Sequence, residues 1–250
     1  MIRFHGTPIT PHSVAIAVLT GRHAMVSFSR PDQCALAFEV CQSVAFDCGA
    51  YSIWQANKGE VDIPAYLDWC LRWFRHPAFA WAIAPDSITG TAADNDVLLS
   101  SWLAMAPRGL DVVPVYHLHE PLERLAKLVS AFPRVAFGSS GEFAKTETHQ
   151  WWDRIHEVMD VACDELGQPL VKLHGLRMLS NTITSHIPLA SADSTNIARN
   201  CGLDKKWTGS FERVSPSLRA QILAERIESH ATAVRWSRTR STQTNLELIG

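Results

Sequence analysis

At 250 residues, 46% hydrophobic and 19% charged, the chain has the composition of a globular protein able to bury a large core, which excludes a disordered or low-complexity chain. Its formal net charge of −2 argues against a protein that coats nucleic acid indiscriminately. No apolar run approaches the roughly 20 residues of a membrane span, and the start MIRFHGTPITP lacks the cationic end and apolar core of a signal peptide, so a cytoplasmic protein is expected.

Taken in order, His5-Gly6-Thr7-Pro8 reads as a turn. HAMVSFS (23–29) is the first strand candidate and SVAFD (43–47) the second. The latter breaks at once into Asp47-Cys48-Gly49-Ala50, which sets a carboxylate at the strand's mouth beside a glycine that permits close approach to the backbone. Next comes a helix over 64–76, PAYLDWCLRWFRH, with Pro64 in its first turn and Leu67, Leu71 and Phe74 on one face. AWAIAPD (80–86) is a strand ending in Asp86, and DVVPVYH (111–117) one ending in His117. EPLERLAKLVSAF (120–132) repeats the helical pattern through Leu122, Leu125, Leu128 and Val129. RVAFGSS (134–140) ends in Gly138, Ser139 and Ser140. A longer helix over 146–166 carries Trp152, Ile155, Val158, Met159 and Ala162 as its inner stripe. LVKLHG (170–175) and PLASADS (188–194) complete the series with His174 and Asp193 near their ends.

Seven strand–helix units predict a parallel sheet, and no glycine-rich phosphate loop follows the first strand. A TIM-type (β/α)8 barrel is therefore favoured over an open doubly wound sheet, as a single domain over 1–250. The last strand is the irregular point, with ATAVRW (231–236) as its candidate. Residues 196–250 read as a basic helical C-terminal part: from Arg199 to Arg240 there are nine Lys or Arg against four acids, and Trp207 and Trp236 lie among them. Six cysteines (34, 41, 48, 70, 163, 201) include no Cys-x-x-Cys and read as buried reduced thiols.

In such a barrel the residues at the C-terminal strand ends form the active site. That places Asp47, Asp86 and Asp193 over one mouth. Paired carboxylates suit displacement at a sugar's anomeric carbon, one as nucleophile and one exchanging a proton with the leaving group. His117-x-His119 offers a rival. With His174, His186 and Asp193 it could hold one metal, as in a metal-dependent TIM-barrel hydrolase. A barrel that binds a modified base without turning it over is a third reading.

The order FDCGAYS, APDS, PVYHLHE, AFGSSGE, KLHGLRML, SADSTN resembles the tRNA-guanine transglycosylase superfamily over roughly residues 23–200, above all its compact phage and bacterial relatives that insert 7-deazaguanine bases into DNA. The resemblance implies that Asp193 is the nucleophile and Asp47 the general acid/base. It implies that Asp86 reads the guanine-like edge, that His117 takes the place of a pocket glutamine, and that Gly138, Ser139 and Ser140 line the base pocket. Tyr51 would pack on the base, with Gly49 and His174 also at the substrate. The partners implied are a nucleic acid and a free 7-deazaguanine, with no cofactor. The family's tRNA enzymes carry a Cys-x-Cys-x-x-Cys…His zinc site that this chain lacks, so no metal is expected and DNA is favoured over tRNA. A homodimer is compatible with the sequence.

Overall fold

The computed structural model describes residues 1–57, 59–200 and 215–237. Strands β1 (Ile2–Gly6), β2 (His23–Ser27), β3 (Ser43–Asp47), β4 (Phe79–Ile83), β5 (Val112–Val113), β6 (Val115–His117), β7 (Arg134–Gly138), β8 (Lys172–Gly175) and β9 (Ser191–Ser194) form one parallel sheet in the order β5-β4-β3-β2-β1-β9-β8-β7-β6. The two edges of that order, β5 and β6, are separated in sequence by Pro114 alone. Proline has no N–H to give a ladder, so the strand changes partner there. Ile83 registers with Val113 on one side of the proline, and Val115 with Ala136 on the other. The Pro114 carbonyl still accepts from Ala136 N at 2.9 Å. The segment 112–117 is thus one strand that closes an eight-stranded TIM-type (β/α)8 barrel.

The eighth strand is not ATAVRW. Residues 231–236 form no strand, and β1 at the N-terminus completes the barrel between β2 and β9. Its alternation explains why: Phe4 points into the barrel, where its ring meets Trp81 at 5.4 Å and His174 at 6.1 Å. His5 points out and is only 1% exposed, so the turn expected there is a strand. A five-residue strand followed by two Thr-Pro steps carries too weak an apolar signal to stand out in sequence.

Helices α1 (His12–Leu19), α2 (Cys34–Val40), α3 (Ala50–Gln55), α4 (Ile63–Trp73), α5 (Ala92–Met105), α6 (Leu122–Ala131), α7 (His149–Ala162), α8 (Asn181–His186), α9 (Asn196–Asn200) and α10 (Pro216–Glu228) lie between and after the strands. Their starts are chemically marked. The Asp62 side chain accepts from Ala65 N, with Pro64 in the first turn of α4; Thr91 and Asp94 form a reciprocal capping box on α5; Thr148 caps α7 and Ser215 caps α10. Helix α6 buries Leu125, Leu128 and Val129 as its pattern predicts. In α4 the buried face is Tyr66, Trp69 and Cys70, one position off the expected Leu67, Leu71 and Phe74. The larger rings win because they bury more apolar area: Trp69 stacks on Phe46 at 3.8 Å and Tyr66 on Trp102 at 4.8 Å. In α7 Trp151, rather than Trp152, leads the inner stripe, and its indole N–H donates to Ser139 Oγ at 3.0 Å.

Of the C-terminal part, α9 and α10 are described, while Lys205, Lys206, Trp207, Arg213, Arg238, Arg240 and Cys201 lie outside the described residues. Helix α10 covers β1: Glu228 Oε1 lies 3.2 Å from His5 Nε2 and 2.9 Å from Arg22 Nε. Trp236 is buried, which removes it from any stacking on bases. The five described cysteines are buried. Among the described residues no helix is long and apolar enough to cross a membrane.

Candidate active site

The C-terminal strand ends enclose a cavity of about 270 Å³, and Asp47, Asp86, His117 and Asp193 all line it. They come from four separate strand ends: Asp47 closes β3, Asp86 follows β4 by way of Pro85, His117 closes β6 and Asp193 is the third residue of β9. Tyr51, Gly138, Ser139 and Ser140 complete the wall as the sequence expects.

Asp86 is held at both oxygens. Cys48 Sγ donates to Oδ1 at 3.1 Å, and His117 Nε2 lies 2.8 Å from Oδ2. A carboxylate only accepts, so Nε2 carries the proton. In the neutral ring Nδ1 is then a bare acceptor, buried without a partner and set against Gly138, where a Cβ would stand 2.9 Å away. A buried network fixes both residues from behind. Glu120 takes the His117 N–H at 2.9 Å and the Asn95 amide at 2.8 Å, while Asn95 Oδ1 accepts Ser87 N at 2.7 Å in the loop after Asp86. Arg124 Nη1 neutralises Glu120 at 2.6 Å. A carboxylate fixed in this way needs no reorganisation when a donor arrives.

Asp47 is the perturbed acid of the set. Burial, with the nearby charges of Asp86 and Asp193 adding to it, pushes its carboxyl up to about 6; a hydrogen bond from Ser27 and the Gly49 N–H oppose the rise. Three carboxylates around one cavity cannot all ionise freely, and the one that gives way stands near neutrality, where it can both give and take a proton. Asp193 sits opposite in chemistry. Its Oδ1 accepts the Arg177 N–H at 2.8 Å and lies 3.5 Å from His174 Nε2.

Two expected substrate contacts are corrected. His174 is fully buried behind Asp193, between Trp81 and Phe4, and does not line the cavity. Gly49 (φ 83°) caps α3, and what approaches it is Ser29, 2.9 Å from the Cβ position, so its close contact is with the neighbouring strand end rather than a ligand. The His117/His119 pair is not arranged as a ligand pair. His119 Nε2 lies 3.1 Å from the Gly90 carbonyl, which forces the proton onto Nε2, and Nδ1 then accepts from Ser140 Oγ at 2.7 Å. His186 sits in α8 with its Nδ1 directed to Thr182 O. Among the described residues no group of three or more His, Cys, Asp or Glu is set to hold a metal ion.

Sequence reasoning missed two arginines of the rim and counted the third, Arg199, only within the basic C-terminal part. Exposed Arg30, Arg177 and Arg199 line the cavity mouth above the carboxylates, and the Arg177 guanidinium lies 3.9 Å over the Tyr51 ring. The signal was present: Arg30 and Arg177 both fall within three residues of a strand end, where barrel loops converge. Ser27, beside Asp47, is also the last residue of its strand.

No family model matches the chain, and no curated protein does. Two solved structures are similar in fold, both mutant forms of the tryptophan synthase alpha-subunit from the hyperthermophile Pyrococcus furiosus. Each is 9% identical and covers 91% of this chain; they cover 96% and 95% of their own lengths, with TM-scores of 0.47 and 0.46.

Proposed function

We propose that the chain is a base-exchanging transglycosylase that replaces guanine in a nucleic acid, DNA before tRNA, with a 7-deazaguanine by way of a covalent aspartyl-glycosyl intermediate. The observation that carries this reading is the joint placement of Asp47, Asp86 and Asp193 around one cavity, with Asp47 poised near 6, beneath a rim of arginines. The space suits one planar heterocycle. A guanine edge offers two kinds of N–H donor, which match the remaining lone pairs of the Asp86 carboxylate that His117 holds in place. The arginines at the mouth match the phosphates of a nucleotide pulled out of its stack.

The chemistry balances over two half-reactions. Asp193 attacks the anomeric carbon as the bond to guanine N9 breaks; the leaving ring takes the proton of the Asp47 carboxylic acid. A 7-deazaguanine then enters, loses its N9 proton to the Asp47 carboxylate, and attacks the same carbon, which frees Asp193. Asp47 is restored to its protonated form and no ATP is consumed. Incubation with labelled guanine and guanine-containing DNA or tRNA tests the reading. Label should enter the polymer and the Asp193→Asn variant should abolish it. Retention of the base without any incorporation would leave a binding protein, and loss of activity on chelation would return the metal hydrolase.

A further inference from the structure

The strongest buried polar feature outside the cavity lining is a chain of polar side chains that runs along the barrel interior. Arg134, the first residue of β7 at the closed end of the barrel, reaches Ser191 Oγ with Nη1 at 3.3 Å. Ser191 Oγ lies 2.9 Å from His174 Nδ1, and His174 Nε2 lies 3.5 Å from Asp193 Oδ1 with no other partner. Ser191 and His174 are both fully buried. The direction of every bond follows from the carboxylate end. A carboxylate only accepts, so the imidazole proton stands on Nε2, aimed at Asp193. In the neutral ring Nδ1 is then an acceptor, so Ser191 Oγ turns its hydrogen toward Nδ1 and accepts from the Arg134 guanidinium. Burial lowers the His174 pKa, outweighing the Asp193 charge that raises it, so the ring stays neutral.

Oδ1 of Asp193 thus accepts the Arg177 backbone N–H at 2.8 Å and faces His174 Nε2–H at 3.5 Å, an electrostatic contact too long for a full hydrogen bond. We propose that this chain, Arg134 to Ser191 to His174, positions Asp193 so that Oδ2 alone is the attacking oxygen. This rests on the transglycosylase reading for what Oδ2 attacks, but not for the tautomer. His174 and Ser191 touch no substrate and act as positioning residues. An aspartate with one oxygen engaged by fixed N–H groups keeps a lone pair aimed through the other, and enters attack without losing rotamer freedom.

The test has two arms. Nitrogen NMR of the histidine-labelled protein, with His174 assigned from the His174→Gln variant, should show a neutral ring with the proton on Nε2 and Nδ1 as acceptor at pH 7. A proton on Nδ1, or an imidazolium, overturns the proposal without any substrate being needed. In the second arm, single-turnover formation of the covalent intermediate should fall about 10- to 100-fold in His174→Phe and Ser191→Ala, with KM for the polymer unchanged. His174→Gln, whose amide can still donate to Asp193, should recover most of the rate. Wild-type rates in His174→Phe overturn the proposal. If the wild type exchanges no base at all, the functional reading fails while the tautomer measurement still decides the chain.

Discussion

His117 Nε2 stands 2.8 Å from Oδ2 of Asp86, and the other oxygen of that carboxylate is taken up by the Cys48 thiol. Asp86, held by His117, lines the cavity with lone pairs to spare, and replacing them by donors is a sensitive probe. Asp86→Asn substitutes an amide that carries two donors for a group that carries none. A donor-rich guanine edge then meets a like group, and the buried mismatch should weaken binding of free guanine at least about 100-fold. Calorimetric titration of guanine into both proteins measures this; equal affinity would remove Asp86 from base recognition.

Gly138→Ala addresses the other half of the pair. The new methyl would lie 2.9 Å from His117 Nδ1 and 3.2 Å from its Cε1, so the ring must turn away from Asp86. The ring is 2% exposed and held at Nε2 by Asp86 and at its backbone N by Glu120, which makes that rotation costly. An approximately tenfold rise in KM for the incoming base is expected, with the melting temperature lowered by only a few degrees.

Asp193→Asn should keep the fold, since its amide oxygen can still accept from Arg177 N and its volume is unchanged. It has no nucleophilic oxygen of carboxylate strength. Exchange should fall by three orders of magnitude or more, equivalent to about 4 kcal/mol in the barrier, and mass spectrometry should find no glycosyl adduct. An adduct retained in the variant would move the nucleophile elsewhere.

Asp47 links activity, stability and pH. Its folded carboxyl stands at about 6 against 3.8 when free, so between those values the folded state binds more protons than the unfolded chain. Stability contributed by this group is therefore lost as pH rises through that window, and by pH 7 the buried charge destabilises the fold by about 1–3 kcal/mol. Asp47→Asn should raise the melting temperature at pH 7.5, and the gain should vanish near pH 4. In the proposed exchange the first half-reaction needs the protonated acid, so kcat/KM for the polymer should fall toward tenfold per pH unit above about 6 in the wild type. A flat profile from pH 5 to 8 would assign the proton transfer to another group.

Much of the barrel and of the cavity lining is legible in the sequence, for physical reasons. A strand in a parallel barrel is buried on both faces, so SVAFD and RVAFG read as continuous apolar runs, and the polar residue that ends each run must fall at the mouth. That logic found Asp47, Asp86, His117 and Asp193 together. It failed for β1, whose Arg3 and His5 make half the strand polar because α10, from the far end of the sequence, supplies their cover. It misjudged His174 for a related reason. Strand-end position fixes height in the barrel but not depth, and only the register His174↔Ser191 shows that the ring lies beneath Asp193.

Arg177 combines a backbone role and a side-chain role that one substitution can separate. Its φ of 58° is left-handed, a conformation that costs a non-glycine residue about 1 kcal/mol. The turn brings its N–H to Asp193 and its guanidinium over Tyr51 at the cavity rim. Arg177→Gly relieves the strain and keeps the N–H, while it removes the charge. The variant should be as stable as the wild type or more so, and it should still form the covalent intermediate at saturating polymer. Affinity for the polymer should drop, and the dependence of log K on log salt should flatten by about 0.7, the contribution of one phosphate contact on a single strand. Fluorescence titrations of a guanine-containing oligonucleotide at several salt concentrations give both quantities; an unchanged slope would take the arginine off the phosphate path and leave it as a brace for Tyr51.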